Sequence, residues 1–557
     1  MTALLSLFVL VGVDGNVSTV KTPARAKHGM VAACHPAAVD VGVKILQDGG
    51  NAVDAALAVN AMLTVCEPMS CGMGGDLFAI VWDAKTQKLY GLNASGRSPY
   101  AASIKAYRDR GLKKVPENGP LSISLPGCVD GWDQLRKRFG TMTLAQVLGP
   151  AADAAEQGVK VPPVIGRAWR GAERMLKRDP DAAATFLLPD GRAPSTGSTM
   201  TNKRAAATLR TIIREGRDAY YKGSLTDRIV TALKKKGALF ERRDFEEHTS
   251  TWVEPISTTY RGYEVWELPP NGQGLAALEM LNVLEGCDVK KTGAGSAEFA
   301  HLFVEAKKLA YADRAVYYAD PDFAKNMPIK ELASKEYGER QRKRIDPNKA
   351  ALEVEAGEPR LGHSETTYLT VVDKDRNVVS LIQSNYSGFG SGVMAGDLGF
   401  MFQNRGALFA LDEKHPNRLE PHKRPFHTII PAMVTKNGKP WFTFGVMGGD
   451  MQPQGHVQIL VNLIDHGMDP QAAGAFPRIR HDGSSSPTGT VMKDGGRVVL
   501  EREVPQSVAD ALTAKGHRVG RGLAPGFGGY QGILIDDKPG VLVGGSEPRK
   551  DGYAKGY

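Results

Sequence analysis

The fold of this chain is decided by the stretch Glu365-Thr366-Thr367-Tyr368-Leu369-Thr370-Val371-Val372-Asp373. Residues 368–372 are β-branched or apolar almost throughout, residues 378–382 are rich in the same types, and the turn-forming sequence Lys-Asp-Arg-Asn separates them. This pattern predicts a β-hairpin. The polar run 355–364 comes before it and shows no periodicity. Thr366 is therefore expected where an exposed linker meets a buried strand.

Thr366 suits one chemistry if the chain is cut in front of it. Its hydroxyl would become a nucleophile, and its new α-amine would be the adjacent base. An α-amine titrates at about 7.7–8.0, so it can accept a proton near neutral pH. The alternative is that Thr366 and Thr367 simply begin a strand, which threonine does well. Local sequence alone favours that alternative, and the rest of the chain reverses the preference.

Composition excludes several classes of function. The 557 residues are 42% hydrophobic and 24% charged, with a formal net charge of +9. No basic tract is interleaved with aromatic residues, so a nucleic-acid partner is not expected. The five cysteines are odd in number and scattered, which argues against a disulfide framework and against a zinc site. Phosphate-loop, GxGxxG, GxSxG and HExxH motifs are missing, so neither a cofactor nor a metal is expected.

The N-terminal apolar run at residues 3–13 is too short to span a bilayer. It resembles the core of a secretion signal, but no Lys or Arg comes before it and no clear cleavage motif follows. We expect a periplasmic or secreted protein if this segment works as a signal, and a cytoplasmic one otherwise. No other stretch predicts a membrane span.

Hydrophobic periodicity predicts the remaining elements. Strands are expected at 29–33 and 77–82, and helices at 37–47 and 52–63, the second capped by Asn51. The middle third, 144–350, is mainly helical by pattern and includes an amphipathic helix at 275–284. After Thr366, strands alternate with glycine turns, and a helix at 457–464 packs on the sheet.

A set of short motifs occurs in a fixed order along the chain. The motifs are Gly-Gly-Asn-Ala-Val-Asp-Ala-Ala at 49–56, Glu67-Pro68, Gly74-Gly75, Pro269-Pro270 with Gly272 and Gly274, Thr366-Thr367, Phe389-Gly390-Ser391-Gly392, Lys423-Arg424-Pro425, Gly448-Gly449, Pro477-Arg478 and Gly545-Ser546-Glu547-Pro548-Arg549. One such motif alone would be weak evidence for a family. The ordered set resembles the γ-glutamyltransferase family of N-terminal-nucleophile hydrolases.

The resemblance implies an α/β fold, a four-layer αββα sandwich. It also implies a proenzyme that cuts its own bond between Glu365 and Thr366. Residues 29–365 would form the large subunit and 366–557 the small subunit, both in one integrated sandwich. Residues 1–28 would be a leader and linker. The partners would be small-molecule γ-glutamyl or glutaryl amides, together with the two subunits of the same precursor.

The resemblance also implies roles for individual residues. Thr366 would be the nucleophile, and the N–H groups of Gly448 and Gly449 would form the oxyanion hole. Arg97 matches the arginine that binds the α-carboxylate of the substrate. Ser384 matches a threonine that hydrogen-bonds the nucleophile. Thr428 matches the second of two serines that hold the carboxylate.

Several positions depart from the family pattern. Leu408 stands where the family has an aspartate for the α-ammonium of the γ-glutamyl group. Arg405 occupies a neighbouring amine-binding position, Tyr386 replaces an asparagine, and His427 replaces the first serine of the pair. The segment from 408 to 423 is also shorter than the usual lid-bearing loop. Loss of the aspartate and gain of a guanidinium should disfavour a cationic amine.

Three functions remain open from the sequence. The first is a γ-glutamyl hydrolase or transferase that acts on glutathione and related amides and passes the acyl group to water or an amino acid. The second is a glutaryl-amide acylase of the cephalosporin type, which Tyr386, Arg405 and Leu408 favour. The third is a non-catalytic relative that uses the fold for binding, against which the presence of Thr366, Ser384 and the glycine turn argues.

Overall fold

The structure is a computed structural model that describes residues 10–11, 17–18, 22–355, 365–536 and 540–557. The apolar run predicted as a leader and the polar run before Thr366 lie largely outside these residues. Within the described part, no helix combines the length and the apolar composition needed to cross a membrane. All five cysteines are free thiols, and Cys287 alone among them is not buried.

Fourteen described strands form two seven-stranded sheets. They are β1 (Ala24–Ala26), β2 (Met30–Ala33), β3 (Asp76–Asp83), β4 (Lys88–Ala94), β5 (Thr251–Val253), β6 (Ile256–Tyr260), β7 (Tyr263–Glu267), β8 (Glu365–Val372), β9 (Val378–Tyr386), β10 (Ala432–Lys436), β11 (Lys439–Val446), β12 (Tyr530–Asp536), β13 (Val541–Ser546) and β14 (Tyr553–Gly556). Sheet I has the order β14-β2-β8-β9-β3-β4-β5, and sheet II has the order β6-β7-β10-β11-β12-β13-β1.

The predicted hairpin is confirmed as β8 and β9, which pair antiparallel with Leu369 opposite Leu381. Asp373 closes the turn, because its Oδ1 accepts from the N–H groups of Asp375 and Asn377 at 3.0 and 2.9 Å. β2 pairs with the other edge of β8, and β3 with the other edge of β9. The hairpin therefore occupies the centre of sheet I.

Ten helices carry labels here. They are α1 (Pro36–Gln47), α2 (Ala52–Cys66), α3 (Cys128–Phe139), α4 (Leu144–Gln157), α5 (Lys203–Glu215), α6 (Ser224–Lys235), α7 (Gly274–Glu285), α8 (Ala297–Tyr317), α9 (Met451–Ile464) and α10 (Gln506–Ala514). The predicted cap is confirmed: the Asn51 side chain accepts from the N–H groups of Val53 and Asp54 at the start of α2.

The remaining elements fill the connections. Helical segments span Ile104–Arg108, Pro120–Ser122, Pro163–Gly171, Glu173–Leu176, Pro180–Phe186, Asp218–Tyr221, Arg242–Glu246, Val289–Thr292, Ile329–Leu332, Lys335–Arg342, Arg405–Leu408, Pro470–Ala475 and Ala524–Phe527. Leu10–Val11 pairs with Val17–Ser18, Val159–Lys160 pairs with Thr199–Met200, and Ile479–Asp482, Arg497–Glu501 and Val519–Gly522 form a small third sheet.

The two large sheets pack face to face. Thr370 Oγ1 of β8 lies 2.8 Å from Thr443 Oγ1 of β11, and the Tyr368 ring fills the space that a side chain at Gly445 would need. Helices α1 and α2 pack on the outer face of sheet I, and α7 and α9 on that of sheet II. This is the predicted four-layer αββα sandwich.

One expectation for the middle third needs correction. The region 144–350 is mainly helical as predicted, and its main strands are β5, β6 and β7 at 251–267. The segment at 275–284 is a helix as predicted, but α7 is buried along its length and is not amphipathic. The reason is that α8 and α9 pack against it in addition to sheet II.

Candidate active site

Thr366 lies near the start of β8 on the face that looks toward sheet II. Side chains alternate along a strand, so Thr366 shares this face with Tyr368, which contacts β11. Thr367 faces the helical layer, where its hydroxyl donates to Glu67 Oε2 at 3.0 Å. The pairing of β8 with β9 shifts register between Glu365 and Thr367. A bulge therefore lies at the bond predicted to be cut, a feature that can re-aim a side chain.

The Thr366 hydroxyl forms a pair with the Ser384 hydroxyl. The two oxygens are 3.2 Å apart, and either can be the donor. Both residues are buried, at 1% and 0% exposure. Ser384 Oγ also accepts from the N–H of Tyr386 at 2.8 Å, so one of its lone pairs is occupied and the hydroxyl is oriented. Tyr386 has a φ of 77°, which non-glycine residues rarely adopt.

The glycine turn after β11 lies at the same edge of the sandwich as Thr366. As β11 runs from Thr443 to Gly445, its contacts on β8 move from Thr370 to Tyr368. The chain therefore advances toward Thr366 as it leaves the strand. Residues 447–449 follow directly, and these include both glycines predicted to form an oxyanion hole.

The conformation of this turn requires glycine. Gly448 and Gly449 have φ values of 112° and 58°, which residues with a Cβ tolerate poorly. A Cβ at Gly448 would also lie 3.2 Å from the Cα of Gly528. Neither glycine N–H has an acceptor among the residues that the structure describes. Open backbone donors of this kind can stabilise an oxyanion.

Gln273, which the sequence analysis did not single out, braces the turn. Its Nε2 donates to the carbonyl oxygens of Thr428 and Gly449 at 2.7 and 2.9 Å. Its Oε1 accepts from Arg314 at 2.5 Å, and Arg314 also pairs with Asp450 at 2.8 Å. The motif at 269–274 was visible in the sequence, but the two carbonyl groups that Gln273 contacts lie 155 and 176 residues away.

Arg405, Thr428 and Tyr386, predicted to bind substrate, lie together. The Nη1 of Arg405 donates to Thr428 Oγ1 at 2.5 Å, and the guanidinium lies over the Tyr386 ring, 4.6 Å from its centre. Arg405 is fully buried, and burial lowers its pKa to about 10. The side chain of Leu408, one helical turn away, is also fully buried.

Asp76 is a buried carboxylate that the sequence analysis missed. Its Oδ1 accepts from the N–H groups of Gly96 and Gly127 at 3.0 and 3.2 Å, and from Gln403 Nε2 at 2.7 Å. Burial raises the pKa of Asp76 to about 7, while the positive charge of Arg405 opposes the rise. No motif marked this residue, because its partners come from three distant segments.

His427 is the fourth hydrogen-bonding partner of Asp76, with its Nε2 3.0 Å from Asp76 Oδ2. Its Nδ1 accepts from the N–H of Ile429 at 3.3 Å, which assigns the ring proton to Nε2. Burial, with the charge of Arg405, holds the pKa of His427 well below its usual value. His427 is therefore a neutral donor to Asp76.

Arg97 lies in a different set of contacts from the other predicted substrate-binding residues. Its Nη1 donates to the Thr249 carbonyl at 3.3 Å, and its Nη2 is 3.8 Å from Asp322. Arg424 contacts the same carbonyl and the same carboxylate. Among the described contacts, none joins Arg97 to Thr428 or Arg405. The Arg97 side chain is 12% exposed.

The chain is similar to known proteins over most of its length. A family profile described as gamma-glutamyltranspeptidase matches residues 38–557. The chain is 39% identical to the glutathione hydrolase-like YwrD proenzyme of Bacillus subtilis, over 95% of this chain and 98% of that protein. It is 35% identical to the acylase ACY 1 proenzyme of a Pseudomonas strain, over 96% and 94%. The crystal structure of cephalosporin acylase from Bacillus halodurans matches with a TM-score of 0.89 and 41% identity, over 96% and 97%.

The αββα sandwich and these neighbours define a hydrolase of the N-terminal-nucleophile class. The chain belongs to the gamma-glutamyltranspeptidase family, as the match over most of its length shows.

Proposed function

We propose that this protein is a self-processing amide hydrolase in which Thr366 is the nucleophile of both maturation and turnover. Processing would divide the chain into a large subunit, 29–365, and a small subunit, 366–557. The observation that carries the proposal is the buried Thr366–Ser384 hydroxyl pair, with an oxygen–oxygen distance of 3.2 Å, at the edge where the Gly448-Gly449 turn arrives. Relatives named as proenzymes support it.

Maturation would proceed by an acyl shift. Thr366 Oγ1 attacks the carbonyl carbon of Glu365, the C–N bond breaks, and the Thr366 nitrogen takes up a proton as the ester forms. Water then hydrolyses the ester, which leaves a carboxylate on Glu365 and frees the hydroxyl and α-amine of Thr366. Ser384 would orient the attacking oxygen through its hydrogen bond.

Turnover would use the same oxygen. The α-amine of Thr366 accepts the hydroxyl proton as Oγ1 attacks the substrate amide, and the N–H groups of Gly448 and Gly449 stabilise the oxyanion. The amine leaves with a proton, and an acyl-Thr366 ester remains. Water or an amino acid then takes the acyl group and restores the hydroxyl.

Two acyl groups are candidates. A γ-glutamyl group fits the family and the relative named glutathione hydrolase-like. A glutaryl group is favoured by Leu408, which is apolar and fully buried at the position matched to an ammonium-binding aspartate. Parallel rates on γ-glutamyl and glutaryl p-nitroanilides would separate the two.

The test of the mechanism is the N-terminus of the small chain. Mass spectrometry and N-terminal sequencing of purified wild-type protein should find a fragment that begins at Thr366, and Thr366→Ala should remain one chain without activity. Thr367→Ala is the matched control and should still be cut at the same bond. Active protein in which the Glu365–Thr366 bond is intact would refute the proposal and favour a different nucleophile. Uncut and inactive wild-type protein would favour a binding relative.

A further inference from the structure

The buried guanidinium of Arg405 has one edge without a partner. Its Nη1 is engaged by Thr428 Oγ1, whereas Nε and Nη2 have no acceptor in the described part of the chain. Nε and Nη2 lie on the same edge of the guanidinium and form a fork that matches the two oxygens of a carboxylate. Because Arg405 is fully buried, leaving these donors open is costly unless an anion completes them.

The Arg405 guanidinium is connected to the candidate nucleophile through two residues, Tyr386 and Ser384. The Arg405 guanidinium lies 4.6 Å from the centre of the Tyr386 ring. The N–H of Tyr386 donates to Ser384 Oγ, which is 3.2 Å from Thr366 Oγ1. An acyl group bound at Thr366 would therefore have a buried cation in its neighbourhood.

The carboxylates around Tyr386 and Arg405 are already engaged. Asp76 accepts four hydrogen bonds, and Asp450 pairs with Arg314 at 2.8 and 3.4 Å. The side chain of Glu117 is 72% exposed and lies 3.7 Å from Lys114. Within the described residues, the surroundings of Arg405 therefore offer a positive fork for an anion, and the carboxylates there are already engaged.

We propose that the Nε/Nη2 edge of Arg405 binds the distal carboxylate of a glutaryl-type acyl group, so that the enzyme selects monoamides of dicarboxylic acids without an α-amine. This inference rests on the proposed function. A γ-glutamyl group differs from a glutaryl group by an ammonium on the carbon that carries the distal carboxylate. With the carboxylate on Arg405, this ammonium would lie near a like charge and lack a buried acceptor. Asp76, with His427, is a positioning residue that partly offsets the charge of Arg405.

The experiment compares kcat/KM of the processed enzyme for glutaryl, γ-glutamyl and pentanoyl p-nitroanilides. The pentanoyl compound has the same chain length and no charge. We expect the wild-type enzyme to prefer glutaryl over γ-glutamyl by about tenfold or more. Arg405→Lys keeps a positive charge but loses the fork, so the glutaryl rate should fall by about 10- to 100-fold while the pentanoyl rate stays within about threefold.

Two further variants serve as comparisons. Arg108→Lys, at an exposed ion pair, is the matched control and should leave all three rates unchanged. Arg97→Lys tests the other arginine, and a loss of glutaryl selectivity there with none in Arg405→Lys would overturn the inference. A wild-type preference for γ-glutamyl would overturn it without any variant. Protein that stays uncut and hydrolyses none of the three amides would overturn the proposed function, and the inference with it.

Discussion

Replacement of Ser384 by alanine tests the hydroxyl pair directly. The change removes the oxygen that lies 3.2 Å from Thr366 Oγ1 and takes away an acceptor of the Tyr386 N–H. A buried hydrogen bond whose partner is removed costs about 1–3 kcal/mol. If the whole cost falls on the transition state, self-cleavage slows by about 5- to 150-fold. Ser384→Thr keeps the hydroxyl and should mature within about threefold of the wild-type rate.

The assay is cell-free synthesis of the precursor, since maturation inside cells would hide the difference. Samples quenched over time are separated by mass, and the fraction of chain cut before Thr366 gives the rate constant. The melting temperature of each purified variant shows whether a slower rate reflects a less stable fold. Maturation of Ser384→Ala with the wild-type half-time, at full stability, would refute the role given to the hydroxyl pair.

Two more outcomes follow from the site. Gly448→Ala places a Cβ at a φ of 112° and 3.2 Å from Gly528 Cα, so the turn should shift and kcat should fall by about 100-fold or more. Gly467→Ala, with φ 66° and open space around it, is the control for backbone strain alone. Equal losses of kcat in the two variants would contradict the role given to the glycine turn. Asp76 has a pKa of about 7, and its ionised form offsets the charge of Arg405, so the KM for glutaryl p-nitroanilide should rise as pH increases through about 7. Asp76→Asn should remove this rise in KM when it is measured relative to the KM for the pentanoyl compound. If the KM of the variant still rises with pH at the same slope, another group titrates.

The parts of the fold set by local pattern were predictable. The strands of the β8–β9 hairpin are rich in β-branched and apolar residues and flank a clear turn sequence. Helix α2 follows a clear cap residue, Asn51. The strands at 251–267 were missed because they are three to five residues long and mix polar with apolar side chains. The burial of α7 depends on helices that lie later in the chain, which periodicity does not reveal.

The residues of the candidate site were also predictable only in part. The resemblance identified Thr366, Ser384 and the glycine turn from short motifs, and their roles remain predictions. No motif identified Asp76 or Gln273, because each residue contacts segments that are distant in the sequence. Asp76 meets Gln403 327 residues away, and Gln273 meets Gly449 across 176 residues. Their importance can be seen only after the two sheets have brought these segments together.

The position of β8 has a consequence for how the mature protein would refold. This strand begins at the bond predicted to be cut. It pairs with β2 from the first half of the chain and with β9 from the second, so sheet I contains strands of both halves. Neither half could satisfy its strand edges alone. In the uncut chain, all the strands belong to one polypeptide. If the proposed cut occurs, two denatured fragments would have to meet by diffusion, and their refolding would depend on concentration. We therefore expect heat-treated Thr366→Ala to regain its structure far more readily than the matured enzyme, whose recovery should fall as the protein is diluted.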